Sequence, residues 1–165
     1  MKIDRDQFYF FWGGPCSQWA SFDIKIDEKI YNNCEQYMMA SKAKLFKDDD
    51  IYDKIMAEKD PKKQKALGRQ VKNFDKDEWE KICRDVVYKA NYAKFTQHSH
   101  LYDFLMNTAD KIIVEASPYD CIWGIGLRES DKRACDPGEW NGTNWLGEEI
   151  MKVRKDIKKE FLDLI

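Results

Sequence analysis

The chain has 165 residues, 43% of them hydrophobic and 14% aromatic, which suits one domain with a packed core and excludes a disordered chain. Its 28 basic and 30 acidic residues give a net charge of −2, which excludes the positive field needed for stable binding of duplex nucleic acid. No stretch approaches the roughly 20 apolar residues that span a bilayer, and the N-terminus does not resemble a signal peptide. We therefore expect no membrane partner.

The cysteines indicate the cellular compartment. Five are present, scattered along the chain and without a C-x-x-C pair. An odd, scattered set is not typical of a disulfide framework or of a zinc site. The sequence thus predicts reduced thiols, no metal and a cytoplasmic location.

Two short strands are predicted near the N-terminus. Phe8 to Trp12 and Phe22 to Ile26 are rich in the aromatic and branched residues that favour strands. Between them, Gly13-Gly14-Pro15 predicts a turn. The loop after this turn carries Ser17, Gln18 and Trp19.

Helical patterns dominate the chain from about Cys34 onward. One helix is expected to end near Gly68, because glycine adopts the left-handed conformation at a helix C-terminus at little cost. We interpret the run Asp48-Asp49-Asp50 as the cap of a helix that starts near Ile51, rather than as a metal site. A buried helix is predicted from a stripe at three- and four-residue spacing: Trp79, Ile82, Cys83, Val86, Ala90 and Ala93.

The C-terminal third combines a strand with a long helix. Lys111 to Ala116 predicts a strand, and a turn at Pro118 leads into Ile122 to Leu127. The last segment predicts an amphipathic helix with one apolar face: Leu146, Ile150, Val153, Ile157, Phe161 and Leu164. The predicted fold is a mainly helical α+β protein, a single compact domain over residues 1–165 with a few short strands.

The predicted helix from Glu35 to Phe46 carries charge on its apolar face. The stripe itself consists of Met38, Met39, Leu45 and Phe46. Glu35 and Lys42 fall within it, where burial of charge is costly unless the charges are paired or used. Two interpretations remain open. One is a buried ion pair; the other is a pocket in which the desolvated lysine is a nucleophile and the glutamate moves protons.

Four further clusters carry more polar residues or glycines than packing requires. They are Ser17-Gln18-Trp19; Arg69; the group Glu115, Asp120, Trp123 and Gly124; and the stretch from Trp140 to Gly147, which contains Asn144. Arg69 also suits a simple helix end, and the tryptophans also suit a core. The backbone amides at the start of the last helix are a candidate anion site. Because no serine elbow, P-loop or zinc motif is present, acid–base or amine chemistry remains.

The order of motifs along the chain resembles a known family. EQYMMASKAKLF is followed by KALGRQV, a tryptophan-led helix ending in KF, VEASPYDCIWGIGL, NWLG and a closing Arg154. This set is similar to that of the YbiA-like, or NADAR, family, and it covers the chain from the Gln18–Trp19 loop to Arg154. The resemblance implies a compact α+β domain that needs no metal or cofactor. Known members cleave N-glycosidic bonds, some in ribosylaminopyrimidine phosphates of riboflavin biosynthesis and others between ADP-ribose and guanine.

The resemblance also implies roles for individual residues. It assigns catalysis to Glu35, Lys42 and Asp120. It assigns substrate binding to Ser17, Gln18, Trp19, Arg69, Glu115, Trp123, Gly124 and Asn144. One departure concerns the first of these groups, since relatives often have Ser-Asn before the aromatic residue where this chain has Ser17-Gln18-Trp19.

The function so implied is hydrolysis of the C1′–N bond of a ribosyl-linked base or amine. The expected partner is a small nucleotide-like substrate or a single ADP-ribosylated base. Two schemes remain open: a transient Schiff base between Lys42 and C1′, or attack by water that Glu35 or Asp120 activates. A non-catalytic sensor of ADP-ribose or nucleotides is the alternative from another class.

Overall fold

The computed structural model describes residues 1–165. The strands are β1 (Phe8–Phe11), β2 (Ile24–Ile26), β3 (Lys29–Tyr31) and β4 (Ile112–Glu115). The helices are α1 (Cys34–Leu45), α2 (Asp49–Ala57), α3 (Pro61–Gly68), α4 (Lys76–Glu80), α5 (Cys83–Gln97), α6 (Ser99–Asn107) and α7 (Trp145–Leu164), and three 3-10 helices are Arg5–Gln7, Lys132–Cys135 and Pro137–Glu139. Helices account for 53% of the chain, which confirms the predicted mainly helical α+β class.

The chain forms two compact units. The terminal unit comprises Met1–Ser17 and His98–Ile165, and the central unit comprises Gln18–Gln97. None of the helices combines the length and the apolar character that crossing a membrane requires.

Helix α1 is the packing centre of the central unit, where it contacts α2, α3, α5 and β3. Its N-terminus is capped by Asn33, whose side-chain oxygen accepts the Gln36 amide at 2.7 Å. The helix is buried on more than one stripe, and its buried members are Cys34, Glu35, Gln36, Met38, Met39, Ala40 and Ala43. Leu45 and Phe46, predicted as part of the stripe, are half-buried.

The packing of α3 against α1 explains Gly68 differently from the sequence prediction. Helix α3 ends at Gly68, as predicted, but the predicted left-handed conformation is wrong, since the following residue, Arg69, is right-handed with φ −74° and Gly68 has no positive φ. A side chain at Gly68 would instead collide with the sulfur of Met39 on α1. The glycine therefore leaves space for the Met39 side chain, which would have to move for any larger residue at this position.

Two other predictions concern the central unit. The cap at Asp48 is confirmed, since its Oδ1 accepts the Ile51 amide at 3.2 Å and its Oδ2 accepts the Lys72 amide at 2.9 Å. The predicted stripe from Trp79 to Ala93 is divided between two helices, α4 and α5, with Ile82 in the turn between them. Its members are buried except for Ile82, which is half-buried.

The terminal unit is built on a parallel strand pair. β1 pairs with β4 from Phe8 opposite Ile112 to Phe11 opposite Glu115, and the Ala116 amide continues the ladder to the Phe11 carbonyl at 2.7 Å. Because the strands are parallel, both carboxyl ends lie at the same edge. Helix α7 packs on β4.

The amphipathic helix predicted at the C-terminus is confirmed as α7, but its apolar face is shorter than predicted. Leu146, Ile150, Val153 and Ile157 are buried. Phe161 and Leu164 are exposed, at 56% and 85%. Only the first part of the predicted face therefore contributes to the core of the terminal unit.

Candidate active site

The central unit places Glu35 and Lys42 two turns apart on α1. Glu35 is 6% exposed, and its amide donates to the Gln18 carbonyl at 3.1 Å, so the start of the helix is tied to the preceding loop. Lys42 is half-buried, and its Nζ lies 4.4 Å from the centroid of the Phe74 ring. The predicted inward placement of charge on this helix is confirmed for Glu35 and is partial for Lys42.

Lys42 interacts electrostatically with two charged neighbours, and we call Glu35, Lys42 and Arg69 the amine cluster. Burial lowers the pKa of the Lys42 amine from its usual 10.5, the Glu35 carboxylate raises it, and the exposed Arg69 guanidinium lowers it. A lowered pKa increases the neutral fraction of the amine near neutral pH, and only the neutral amine is a nucleophile. The cluster thus combines a nucleophile, a carboxylate able to move protons and a guanidinium able to bind phosphate.

We expect the reactivity of Lys42 to follow this electrostatic balance. Acetic anhydride should label Lys42 at a lower pH than an ordinary lysine, because labelling rises as the pH passes upward through the lowered pKa. Glu35→Gln removes the charge that raises the pKa, so its labelling curve should move to lower pH. Arg69→Gln removes the charge that lowers the pKa, so its curve should move to higher pH.

Mass spectrometry of the labelled peptides measures both curves. The exposed Lys44, two residues further along α1, is labelled in the same sample, and the extent of its labelling serves as the internal control for the amount of reagent. If the curves of Lys42 labelling against pH coincide in the wild type and both variants, the electrostatic coupling within the amine cluster is contradicted.

The loop predicted to bind substrate has an inward-facing member. Gln18 is buried, its Oε1 accepts from Asn91 Nδ2 at 2.8 Å, and its Nε2 lies 4.0 Å from the Met38 sulfur. In the central unit, Gln18 therefore ties the loop to α1 and α5, while Trp19 is 42% exposed. Ser17 belongs to the terminal unit and closes the predicted turn through its amide, which donates to the Gly14 carbonyl at 3.0 Å. Substrate contact by these three residues stays a prediction.

The terminal unit brings together the residues predicted around the end of β4. Asp120 Oδ1 accepts the amides of Ile122 and Trp123 at 2.9 and 2.8 Å, which fixes one carboxylate oxygen and leaves Oδ2 outside these bonds. Gly124 lies against Glu115, since an added Cβ would be 2.9 Å from the Glu115 carbonyl and 3.3 Å from its Oε2. The chain turn thus places the Glu115 carboxylate and the backbone carbonyl of Asp120 close to one glycine.

Trp123 adds an aromatic wall to this turn. It packs edge-on against Trp145, with ring centroids 5.7 Å apart, and both rings are half-buried.

In the whole chain, no group of three or more histidine, cysteine, aspartate or glutamate side chains is arranged to hold a metal ion.

Asn144 is committed to the backbone of β4. It is 1% exposed; its Oδ1 accepts the Glu115 amide at 3.0 Å, and its Nδ2 donates to the Ile113 carbonyl at 2.9 Å. The residue also adopts φ +54°, a left-handed conformation that asparagine tolerates better than most residues. Asn144 therefore positions Glu115, and its predicted contact with substrate stays a prediction.

The candidate anion site at the start of α7 is contradicted by the local hydrogen bonds. The Trp145 amide donates to the Ile122 carbonyl and the Leu146 amide to the Trp123 carbonyl, both at 3.1 Å. These amides hold the Trp123 turn in place, so they are not available to an anion.

Sequence reasoning missed Lys94 on α5, which is 0% exposed. Burial raises the pKa of the Cys34 thiol, while the charge of Lys94 lowers it and the charge of Glu35 raises it, so both charges act at the start of α1. The spacing Val87, Asn91, Lys94 was the available signal, since it puts a lysine on the buried stripe of a helix.

Comparison with known proteins connects this geometry to a family. The model of the NADAR domain matches residues 9–158, across both units. N-glycosidase R617 of Acanthamoeba polyphaga mimivirus is 38% identical, over 93% of this chain and 98% of the relative. The chloroplastic riboflavin biosynthesis protein PYRR of Zea mays is 36% identical, over 66% of this chain and 16% of the relative. The NMR structure of Escherichia coli YbiA aligns with a TM-score of 0.79 and 29% identity, over 98% of this chain and 90% of that one. The resemblance inferred from the motifs is confirmed, and the chain belongs to the NADAR domain family.

Proposed function

We propose that this chain hydrolyses the C1′–N bond that joins a ribosyl group to a base or an amine. It is an enzyme, a hydrolase of N-glycosidic bonds, the activity for which several of its relatives are named. The observation that supports the proposal most directly is the amine cluster, in which a lysine with a lowered pKa interacts with a buried carboxylate and an arginine. Such a set suits amine chemistry at the C1′ carbon.

The proposed mechanism is a carbonyl-type exchange at C1′. A proton from Glu35 to the ring oxygen opens the sugar and leaves C1′ double-bonded to the substrate nitrogen. The neutral Lys42 amine adds to C1′, a proton passes from the lysine nitrogen to the substrate nitrogen, and the substrate nitrogen leaves as a free amine, so that a protonated Schiff base remains on Lys42. Water then adds to the resulting Schiff base and releases the sugar together with the regenerated lysine. The catalytic role predicted for Asp120, one of whose carboxylate oxygens is fixed by two amides, stays a prediction.

Two substrates fit the proposal: ADP-ribosylated guanine and the ribosylaminopyrimidine phosphate of riboflavin biosynthesis. Both carry phosphate, for which the planar donors of Arg69 are suited. The similarity to PYRR supports the second substrate class. The proposed partner is accordingly a small nucleotide or one modified base, and the proposed setting is the cytoplasm, consistent with five free cysteines.

A side-by-side hydrolysis assay tests the proposal. Purified protein is incubated with ADP-ribosylated guanine and with the ribosylaminopyrimidine phosphate, and release of the base or amine is followed by liquid chromatography. We expect turnover of one or both substrates, with loss of turnover in Lys42→Ala. Tight binding of ADP-ribose without any turnover would refute the proposal in favour of a nucleotide sensor.

A further inference from the structure

An aromatic pair lies exposed at the edge of the terminal unit where β1 and β4 end. Trp12 directly follows β1, and its ring centroid lies 5.7 Å from that of Tyr119, which follows β4 by four residues. Trp12 is 55% exposed and Tyr119 is 78% exposed. Aromatic rings are usually buried because burial contributes so much free energy, so two exposed rings in contact are a candidate binding surface.

An open cavity of about 360 Å³ adjoins this pair. It is lined by Arg5, Trp12, Ala116, Arg128, Glu129 and Ser130. Its volume lies in the range of small-molecule sites. Arg5 is paired with Glu129 at 2.9 Å, whereas the exposed Arg128 forms no ion pair, so the lining carries one uncompensated positive charge. The combination of aromatic ring, guanidinium and hydroxyl suits a nucleobase with an attached phosphate.

The location connects this surface to the candidate site in the same unit. Tyr119 is the neighbour of Asp120, and Ala116 of the cavity wall is the neighbour of Glu115. A ligand whose sugar lies against Asp120 therefore needs only a short extension to reach the aromatic pair. The carboxyl edge of parallel strands is also where ligands are commonly bound in such sheets.

We propose that Trp12 and Tyr119 form a second subsite, which stacks a nucleobase joined through phosphate to a ribosyl group that lies against Asp120. The inference deepens the proposed function and rests on it for the identity of the reaction. Two sources share this chemistry: the adenine of an ADP-ribosyl group and the base adjacent to a modified guanine in a strand. The subsite favours such extended substrates over a ribosyl monophosphate.

Binding measurements test the subsite without relying on turnover. Calorimetry compares ADP-ribose with ribose 5-phosphate in the wild type, Trp12→Ala, Tyr119→Ala and Arg128→Gln. We expect the wild type to bind ADP-ribose more tightly, and each alanine variant to lose about 10-fold of that affinity while binding ribose 5-phosphate as before. Arg128→Gln should also lower the affinity for ADP-ribose, because the substitution removes the positive charge that we expect to contact the phosphates.

Matched variants separate stacking from folding. Phe161→Ala removes an aromatic ring that is about as exposed as Trp12 (56% against 55%) from the end of α7, and it should change the affinity for neither ligand. Tyr119→Phe keeps the ring and should bind ADP-ribose like the wild type. Stacking of the adenine is refuted if the wild type binds both ligands equally, or if Trp12→Ala and Tyr119→Ala bind ADP-ribose as tightly as the wild type. The subsite as a whole is refuted if Tyr119→Ala then also keeps the wild-type kcat/KM on a trinucleotide substrate.

Substrates of two lengths identify the source of the base. The kcat/KM of Tyr119→Ala is measured on the ADP-ribosylated guanine nucleoside and on the same base within a trinucleotide. Equal losses on both would assign the adenine, and a loss confined to the trinucleotide would assign the neighbouring base. Absence of turnover in the wild type would refute the proposed function, whereas the calorimetric comparison still decides whether the pair stacks the adenine.

Discussion

Replacement of Lys42 by alanine is expected to reduce N-glycoside hydrolysis by about 10³-fold or more, which is typical for loss of a covalent nucleophile. The substitution removes the amine whose pKa is lowered by burial and leaves the buried Glu35 without the positive charge that it stabilises. Steady-state kinetics on the better of the two substrates measures the loss. Glu35→Gln, which preserves shape while removing the carboxylate, should also lose activity because the proton transfer is lost.

A neighbouring lysine provides the control for this prediction. Lys44 lies on the same helix, is exposed, and contacts the Tyr52 ring at 5.0 Å, so Lys44→Ala should keep wild-type turnover. Borohydride added during turnover should trap a sugar adduct on Lys42, visible as a mass increase of its peptide. An active enzyme that never yields the adduct would favour direct attack by water. Wild-type turnover in both Lys42→Ala and Glu35→Ala would show that the site is elsewhere.

The structural interpretation of Glu35 and Lys42 makes a different prediction about stability. If the two residues serve only as an ion pair, replacing both by methionine should be neutral or stabilising, because apolar residues avoid the cost of desolvating charge. If they serve catalysis, the double variant folds but is inactive. Urea unfolding and the hydrolysis assay on the same variant distinguish these outcomes.

Asn144→Ala is expected to lower the free energy of unfolding by about 3 kcal/mol. The alanine leaves the Glu115 amide and the Ile113 carbonyl without their side-chain partner, and it must adopt φ +54°. Unsatisfied buried backbone groups and a left-handed alanine each cost on the order of 1 kcal/mol or more. Urea unfolding followed by circular dichroism measures the change.

Two further variants separate these contributions. Asn144→Gly loses the same hydrogen bonds but accepts the left-handed backbone, so it should be about 1 kcal/mol more stable than Asn144→Ala. Asn141→Ala changes an exposed asparagine in the same loop and should have little effect. A loss below about 1 kcal/mol in Asn144→Ala would show that the bonds to β4 do not stabilise the fold.

Local patterns were sufficient for most of the secondary structure. The helical period starting at Cys34, the strand before Glu115 and the long amphipathic segment from Leu146 all correspond to elements of the structure. They were predictable because residues a few positions apart determine which face of an element is apolar. The inward placement of Glu35 followed from the same period.

Polar residues inside the central unit were less predictable. Gln36 donates to the Ile55 carbonyl at 3.0 Å, Gln64 to the Asn32 side chain at 3.0 Å, and Asn91 to Gln18 at 2.8 Å. Each of these partners lies 19 or more residues away in sequence, so a periodic pattern cannot identify it. When the hydrogen-bond partner is unknown, the sequence does not distinguish a buried glutamine or asparagine from an exposed one.

The sequence by itself determined the mainly helical class, the elements, the family and the pair Glu35 and Lys42. Only the tertiary structure decided three further points. Arg69 acts electrostatically on Lys42, and Gly68 leaves space for the Met39 side chain. The Asn144 side chain is hydrogen-bonded to the backbone of β4 rather than facing outward. The physical reason is the same in each case. Periodicity records which side of an element is apolar, whereas desolvation, close contact and hydrogen bonding depend on atoms that folding brings from distant parts of the chain.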